Sequence, residues 1–154
     1  MESDTYKAAM GRFASGVTVI TTRDSGGAPS GFTASSFTSL SLNPPLVLFC
    51  LDREAYCFDA FYGAQSFGVN ILSSEQQAVS NRFAKRGGDK FENVALMETP
   101  TGVPLLEGCL ASMECRITEK LPGGDHLIFM GEVQRVNIGE GSPLIYYMGK
   151  YHNI

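Results

Sequence analysis

The stretch "CLASMECRI" alternates strictly: Cys109, Ala111, Met113, Cys115 and Ile117 share one side, and Leu110, Ser112, Glu114 and Arg116 share the other. A two-residue repeat belongs to a half-buried strand and fits no helix. "PGGD" then offers a turn and "HLIFMGEVQRVNIG" a returning strand, so this part of the chain is committed to an antiparallel hairpin. Further strands are expected at Val17–Arg23, Gly31–Thr38, Leu46–Leu51 and Ser66–Leu72, with a last one through "PLIYYMGKY". Pro44-Pro45 separates the second and third of these, because proline donates nothing to a ladder. About six or seven strands in one small unit leave edges that closure into a barrel removes.

Three helical segments interrupt the strands. Tyr6, Ala9, Met10 and Phe13 are spaced for one helical face, with Asp4 placed to cap it and Gly16 to end it. "EAYCFDAFYGAQ" reads as a short helix, and Ser73 with Gln76 forms a capping box for "SEQQAVSNRFAKR", which stops at Gly87-Gly88. The expected fold is mainly β: an antiparallel β-barrel with peripheral helices, in one domain over residues 1–154.

The formal net charge of -4 leaves no basic face for a nucleic-acid backbone, and anionic membranes are disfavoured too. A compact anion remains possible, since a few cations and backbone N–H groups hold one. The uncharged run from Ser25 to Leu51 is continuously apolar only over Leu46–Leu51, which argues against a membrane span. No cysteine pair has C-x-x-C spacing and the N-terminus has no signal-type apolar core, so reduced thiols and a cytoplasmic location are expected. Neither G-x-S-x-G, G-x-x-x-x-G-K-[ST] nor G-x-G-x-x-G occurs, and His126 and His152 lack partners at metal-ligand spacing, so no metal site is expected. Redox or transfer chemistry would have to come from an organic cofactor.

Thr33, Ser35, Ser36, Thr38, Ser39 and Ser41 crowd into nine residues of "GFTASSFTSLSLNPPLVLFCLD". Two readings fit: hydroxyls on the solvent face of an edge strand, or a cradle for a polar, phosphate-bearing ligand. "GRFASGVTVITTRD", this stretch with Arg53, "SFGVNIL", "RFAKRGGDKF", "GVPLLEGCLASMECRI", "GGDHLIFMGEV" and "PLIYYMGKY" follow one another in order. As an ordered set, from Met10 to Tyr151, they resemble the short-chain flavin reductases, the flavin reductase-like branch of the FMN-binding split barrels.

That resemblance implies an antiparallel, Greek-key split barrel that is typically a homodimer. It implies NAD(P)H-dependent reduction of FMN or FAD, with reduced flavin diffusing to a partner monooxygenase; NADH or NADPH would donate the hydride. The alternative is a flavin-binding or carrier protein with no nicotinamide-dependent activity, and an oxidase of the pyridoxamine-phosphate type is a third. By the same resemblance Thr33, Ala34, Ser35 and Ser36 lie along the isoalloxazine, Ser39 beside Leu40 reaches the phosphate, and Asp52 and Arg53 return to the same end. Arg86 and Lys90 would pair with phosphate, with Phe91 packed on the cofactor. Cations there also suit a helix C-terminus with no ligand at all. His126, in "GDH", would be the catalytic-site histidine on the nicotinamide side, although a histidine opening a strand is also an ordinary surface residue. Tyr147, Gly149 and Tyr151 would complete the nicotinamide pocket, or serve packing between subunits.

Overall fold

A computed structural model describes residues 1–154. In chain order its elements are α1 (Ser3–Met10), β1 (Ser15–Gly16), β2 (Thr18–Arg23), β3 (Pro29–Ala34), β4 (Phe37–Leu42), β5 (Pro45–Asp52), α2 (Phe58–Tyr62) and β6 (Ser66–Ile71). A 3-10 turn at Ser74–Gln76 leads into α3 (Gln77–Ala84). There follow β7 (Leu96–Met97), β8 (Leu105–Leu106), β9 (Ala111–Gly123), β10 (His126–Ile138), β11 (Ile145–Tyr147) and β12 (Lys150–His152). No helix is long and apolar enough to cross a membrane.

Seven strands pair in the order β3-β2-β6-β9-β10-β5-β4, every neighbouring pair antiparallel. The outermost strands, β3 and β4, form no ladder with each other, yet only Ser35 and Ser36 lie between them. Three residue steps, from Ala34 to Phe37, reach at most about 11 Å. The sheet must therefore curl until its edges nearly meet, which leaves a barrel split along one seam. The single strand expected over Gly31–Thr38 is thus two strands. The chain leaves one edge at Ala34 and joins the other at Phe37, and the Ser36 hydroxyl stands in for ladder bonds at the corner. It donates to the Cys50 carbonyl at 2.9 Å and accepts the Cys50 N–H at 3.3 Å.

Alternate residues of β5, Val47, Phe49 and Leu51, point into the barrel. Phe49 is fully buried, stacked on Phe129 at 4.9 Å and edge-on to Phe67 at 4.9 Å and Phe61 at 5.6 Å. Burying one such ring contributes roughly 1.5–3 kcal/mol. Gly131 makes room for this cluster, since a Cβ there would lie 2.5 Å from the Phe67 ring. A second cluster, Val17, Val19, Leu72, Phe83, Leu106 and Leu144, lies under α3 and the segment that follows it.

That outer layer changes the expected facing of β9. Met113, Cys115 and Ile117 do pack against the barrel core, but Ser112 and Glu114 on the other face are only 2% exposed. The 96–106 segment covers them, and the Thr101 hydroxyl and N–H bond Glu114 at 2.5 and 3.4 Å while Arg135 Nε lies 3.8 Å away. Cys109 precedes the strand and packs in the second cluster.

The helices also differ from expectation. α1 stops before Gly11, leaves Phe13 outside and buries none of its residues. The helix expected over 74–86 begins as a 3-10 turn and ends at Ala84, with Gln76 accepting the Ser73 N–H at 2.9 Å. "PLIYYMGKY" is two strands, folded at Met148 and Gly149, which both have positive φ (52° and 74°).

Candidate functional site

The hydroxyl stretch forms the seam itself. Several of its polar groups are committed within the protein. Thr33 donates to the Ser80 carbonyl at 2.6 Å, the Ala34 carbonyl accepts Thr18 at 2.8 Å, and Ser36 is tied to Cys50. Others face outward. The N–H groups of Ser35 and Ser36 bond to no acceptor in the chain, and Ser35, Ser36, Ser39 and Leu40 are exposed. The seam therefore presents a short row of neutral donors, the chemistry that ring carbonyl oxygens and a phosphate ester recognise. No charged side chain intrudes on it, so a neutral ring can approach without stranding a charge.

Beside the seam, a cleft of about 190 Å³ is lined by Val17, Thr33, Ser35, Ser80, Ala84, Tyr146 and Tyr151. The Tyr151 and Ser80 hydroxyls share a hydrogen bond of 2.6 Å, which ties the C-terminal hairpin to α3. Tyr146 pairs with Tyr151 across β11 and β12, and their rings meet at 5.4 Å. Tyr147 lies on the opposite face of that hairpin, its ring turned toward His152, and Gly149 forms the turn. Of two adjacent tyrosines, then, it is Tyr146 that enters the cleft, a side-by-side choice that depends on where the turn falls. Ser80, Ala84 and Val17 carry no motif; the bonds from Thr33 and Tyr151 to α3 reveal Ser80.

The other side of the rim is organised by a strap, residues 52–57, that leaves β5 and touches three elements. Asp52 is the register partner of His126, and its Oδ1 accepts the Glu54 N–H at 2.9 Å. Arg53 donates its N–H to the Asp125 carbonyl at 3.0 Å and its Nε to the Gly124 carbonyl at 3.4 Å, fixing the tip of the β9–β10 hairpin. His126 Nδ1 lies 2.7 Å from Asp125 Oδ1, and that hydrogen bond and charge hold the Asp125 carboxyl below its ordinary value. Arg86 reaches the Glu54 carbonyl at 3.1 Å, and the Tyr56 hydroxyl bonds to the Gly31 carbonyl.

Lys90 sits behind the strap. It is 5% exposed, its Nζ is 4.4 Å from the centre of the Tyr56 ring, and it donates to the Arg82 carbonyl at 3.4 Å. Burial pushes its ammonium below the ordinary value, and the nearby Cys57 opposes that shift. Phe91 packs edge-on against Phe83 at 5.0 Å, in the second cluster. Of the cations singled out from the sequence, the structure leaves Arg53 and Arg86 exposed at the rim and folds Lys90 inside.

The fold has close parallels among known proteins. Residues 10–154 match the family described as "Flavin reductase like domain". A curated relative, the actinorhodin polyketide dimerase of Streptomyces coelicolor, is 43% identical over 139 residues, covering 90% of this chain and 78% of the relative. The reductase subunit HsaB of a flavin-dependent monooxygenase from Rhodococcus jostii is 41% identical over 150 residues, covering 97% and 76%. The structure of the NADH:FAD oxidoreductase SgcE6 of Streptomyces globisporus, in complex with NAD and FAD fragments, superposes with a TM-score of 0.93 at 34% identity, covering 99% of this chain and 93% of that one.

Proposed function

The chain belongs to the flavin reductase-like family, and we propose that it is an NAD(P)H:flavin oxidoreductase that supplies reduced FMN or FAD to a partner monooxygenase. The observation that carries this reading is the seam: free N–H donors and hydroxyls on one side, and His126 held by the strap on the other. When both nucleotides are bound, hydride passes from nicotinamide C4 to flavin N5. The protein's part is to hold the two rings within reach.

In this reading Thr33, Ala34, Ser35 and Ser36 line the ring system, with the outward N–H groups toward its carbonyl oxygens. Ser39, beside Leu40, donates to phosphate, and Arg53 and Arg86 supply charge near it. Lys90 supports Tyr56 from below, and Asp52 shapes the strap. His126 faces the nicotinamide from the strap side, and Tyr151 with Gly149 and the C-terminal hairpin closes the cleft beside the seam.

Mixing the purified protein with NADH or NADPH and FMN or FAD tests the reading through absorbance at the reduced-nicotinamide band. Flavin should raise the rate of NAD(P)H oxidation many-fold. A protein that binds flavin yet leaves that rate at its basal level is a carrier instead.

A homodimer is part of the proposal. On the outside of the sheet, Leu48 and Cys50 of β5 pair with Met130 and Ile128 of β10, and Ile128 pairs in turn with Leu121 of β9. One copy of the chain leaves this apolar patch partly open, bounded by Glu132 opposite Leu46 and Glu119 opposite Met130, and such a patch with a polar border marks an interaction surface. It ends at Asp52 and His126, so a second copy seated there meets the rim. Sedimentation at twice the chain mass, lost in Leu48→Arg, is the expected result. We place the protein, acting as one domain over residues 1–154, in the cytoplasm, where reduced nicotinamide is supplied and thiols stay reduced.

A further inference from the structure

We propose that Asp125 is a positioning residue: its bond to Nδ1 fixes the tautomer of His126, so that Nε2 presents a lone pair to the carboxamide N–H of a reduced nicotinamide nucleotide. This rests on the reading of His126 given above and adds to it the residue that sets its hydrogen-bonding sense.

The argument starts from the hairpin tip. Gly124, at φ 65°, and Asp125 are the only residues between β9 and β10, so the position of Asp125 is set by the hairpin register. The tip is held again from outside, since its two carbonyls accept the N–H and Nε of Arg53. Asp125 Oδ1 then lies 2.7 Å from His126 Nδ1. A carboxylate only accepts, so the proton of a neutral imidazole must sit on Nδ1, and Nε2 is left as an acceptor.

The other groups facing His126 do not compete for Nδ1. Asp52, across the β5–β10 ladder, turns its Oδ1 to the Glu54 N–H. Arg53 is bonded to the hairpin carbonyls, and the β9 partner of His126 is Gly123, which has no side chain. A carboxylate on a histidine's far nitrogen is the usual means of fixing ring orientation, and it does so here without burial, since Asp125 itself is open to water.

The test uses full-length protein labelled with 15N-histidine, its two imidazoles told apart with His152→Gln. In the unsubstituted protein, NMR should show His126 in the Nδ1–H form. Asp125→Ala should move it toward the Nε2–H form and raise the KM for NADH about five-fold, the size of one lost hydrogen bond, with kcat and flavin affinity little changed. Asp125→Asn keeps a carbonyl acceptor and should restore most of both properties. An unchanged tautomer in Asp125→Ala overturns the proposal. So does an unchanged KM there when His126→Ala raises it, or an equal loss in Asp125→Asn, which would assign the effect to charge. If His126→Ala leaves KM unchanged, the reading of His126 itself fails and the proposal goes with it.

Discussion

Phe49 on β5 and Ser36 at the corner between β3 and β4 meet opposite fates. Phe49 is fully buried among Phe32, Phe61, Phe67 and Phe129. Ser36 is exposed, its side chain held only by the Cys50 main chain. The first region derives its stability from contact area, and nothing in it can bind a polar ligand. The second has little contact area and keeps unpaired donors in water. A split barrel thus separates the part that holds the fold from the part proposed to hold a nucleotide, and substitutions should fall on one side or the other.

The largest effect is expected from Phe49→Ala. Truncating a buried ring costs about 3–5 kcal/mol, which lowers the denaturation midpoint sharply. Flavin affinity of the protein that remains folded at low temperature should hold. A loss of affinity as large as the loss of stability would show that core and seam are not separable.

The next largest is alkaline. Cys57 and Cys115 lie in the barrel core, and burial pushes their thiols up from 9.0 to about 11 and about 12. The folded protein therefore keeps protons that the unfolded chain gives up near pH 9. Stability is whole below pH 9 and falls as pH climbs toward 11–12. Lys90 works the other way, because burial holds its ammonium below 10.5 and shedding the proton relieves a cost. Chemical denaturation of Cys57→Ala/Cys115→Ala isolates the thiols: its stability should decline less between pH 9 and 11 than that of the unsubstituted protein. The hairpin tip opposite the seam titrates at the acid end instead: Asp125 is held low by His126, so its small contribution is lost only below pH 3.8.

The same division explains what could be read from the sequence. Strands and hairpin were legible because a period of two is local, and the lack of charge around Thr33–Ser41 already marked the rim. Three features depend on distant chain and were not legible. Gly31–Thr38 reads as one strand, since nothing within it shows that Ala34 and Phe37 join opposite edges. Ser112 and Glu114 read as a solvent face, since the groups that meet Glu114, Thr101 of the covering 96–106 segment and Arg135 of β10, come from distant chain. Which of Tyr146 and Tyr147 shares a face with Tyr151 is decided by the residue that turns the C-terminal hairpin, and two adjacent tyrosines give no local sign of it.

The smallest effects sharpen the contrast within the seam, between hydroxyls that build it and hydroxyls that face out. Ser36→Ala removes two bonds to Cys50 and lets the corner between β3 and β4 relax. Stability should fall by about 1 kcal/mol, and flavin binding should weaken with it, because the Ser35 and Ser36 N–H groups lose their fixed direction. Ser39 is exposed on the edge strand, and its hydroxyl bonds to nothing in the chain. Ser39→Ala should leave the denaturation midpoint in place while raising the flavin dissociation constant about five-fold, or about 1 kcal/mol for one bond to a charged oxygen. Titration of flavin fluorescence on both variants, beside their melting curves, separates the roles. A Ser39 variant that binds flavin as tightly as the unsubstituted protein would move the phosphate away from β4, toward Arg86 and the end of α3.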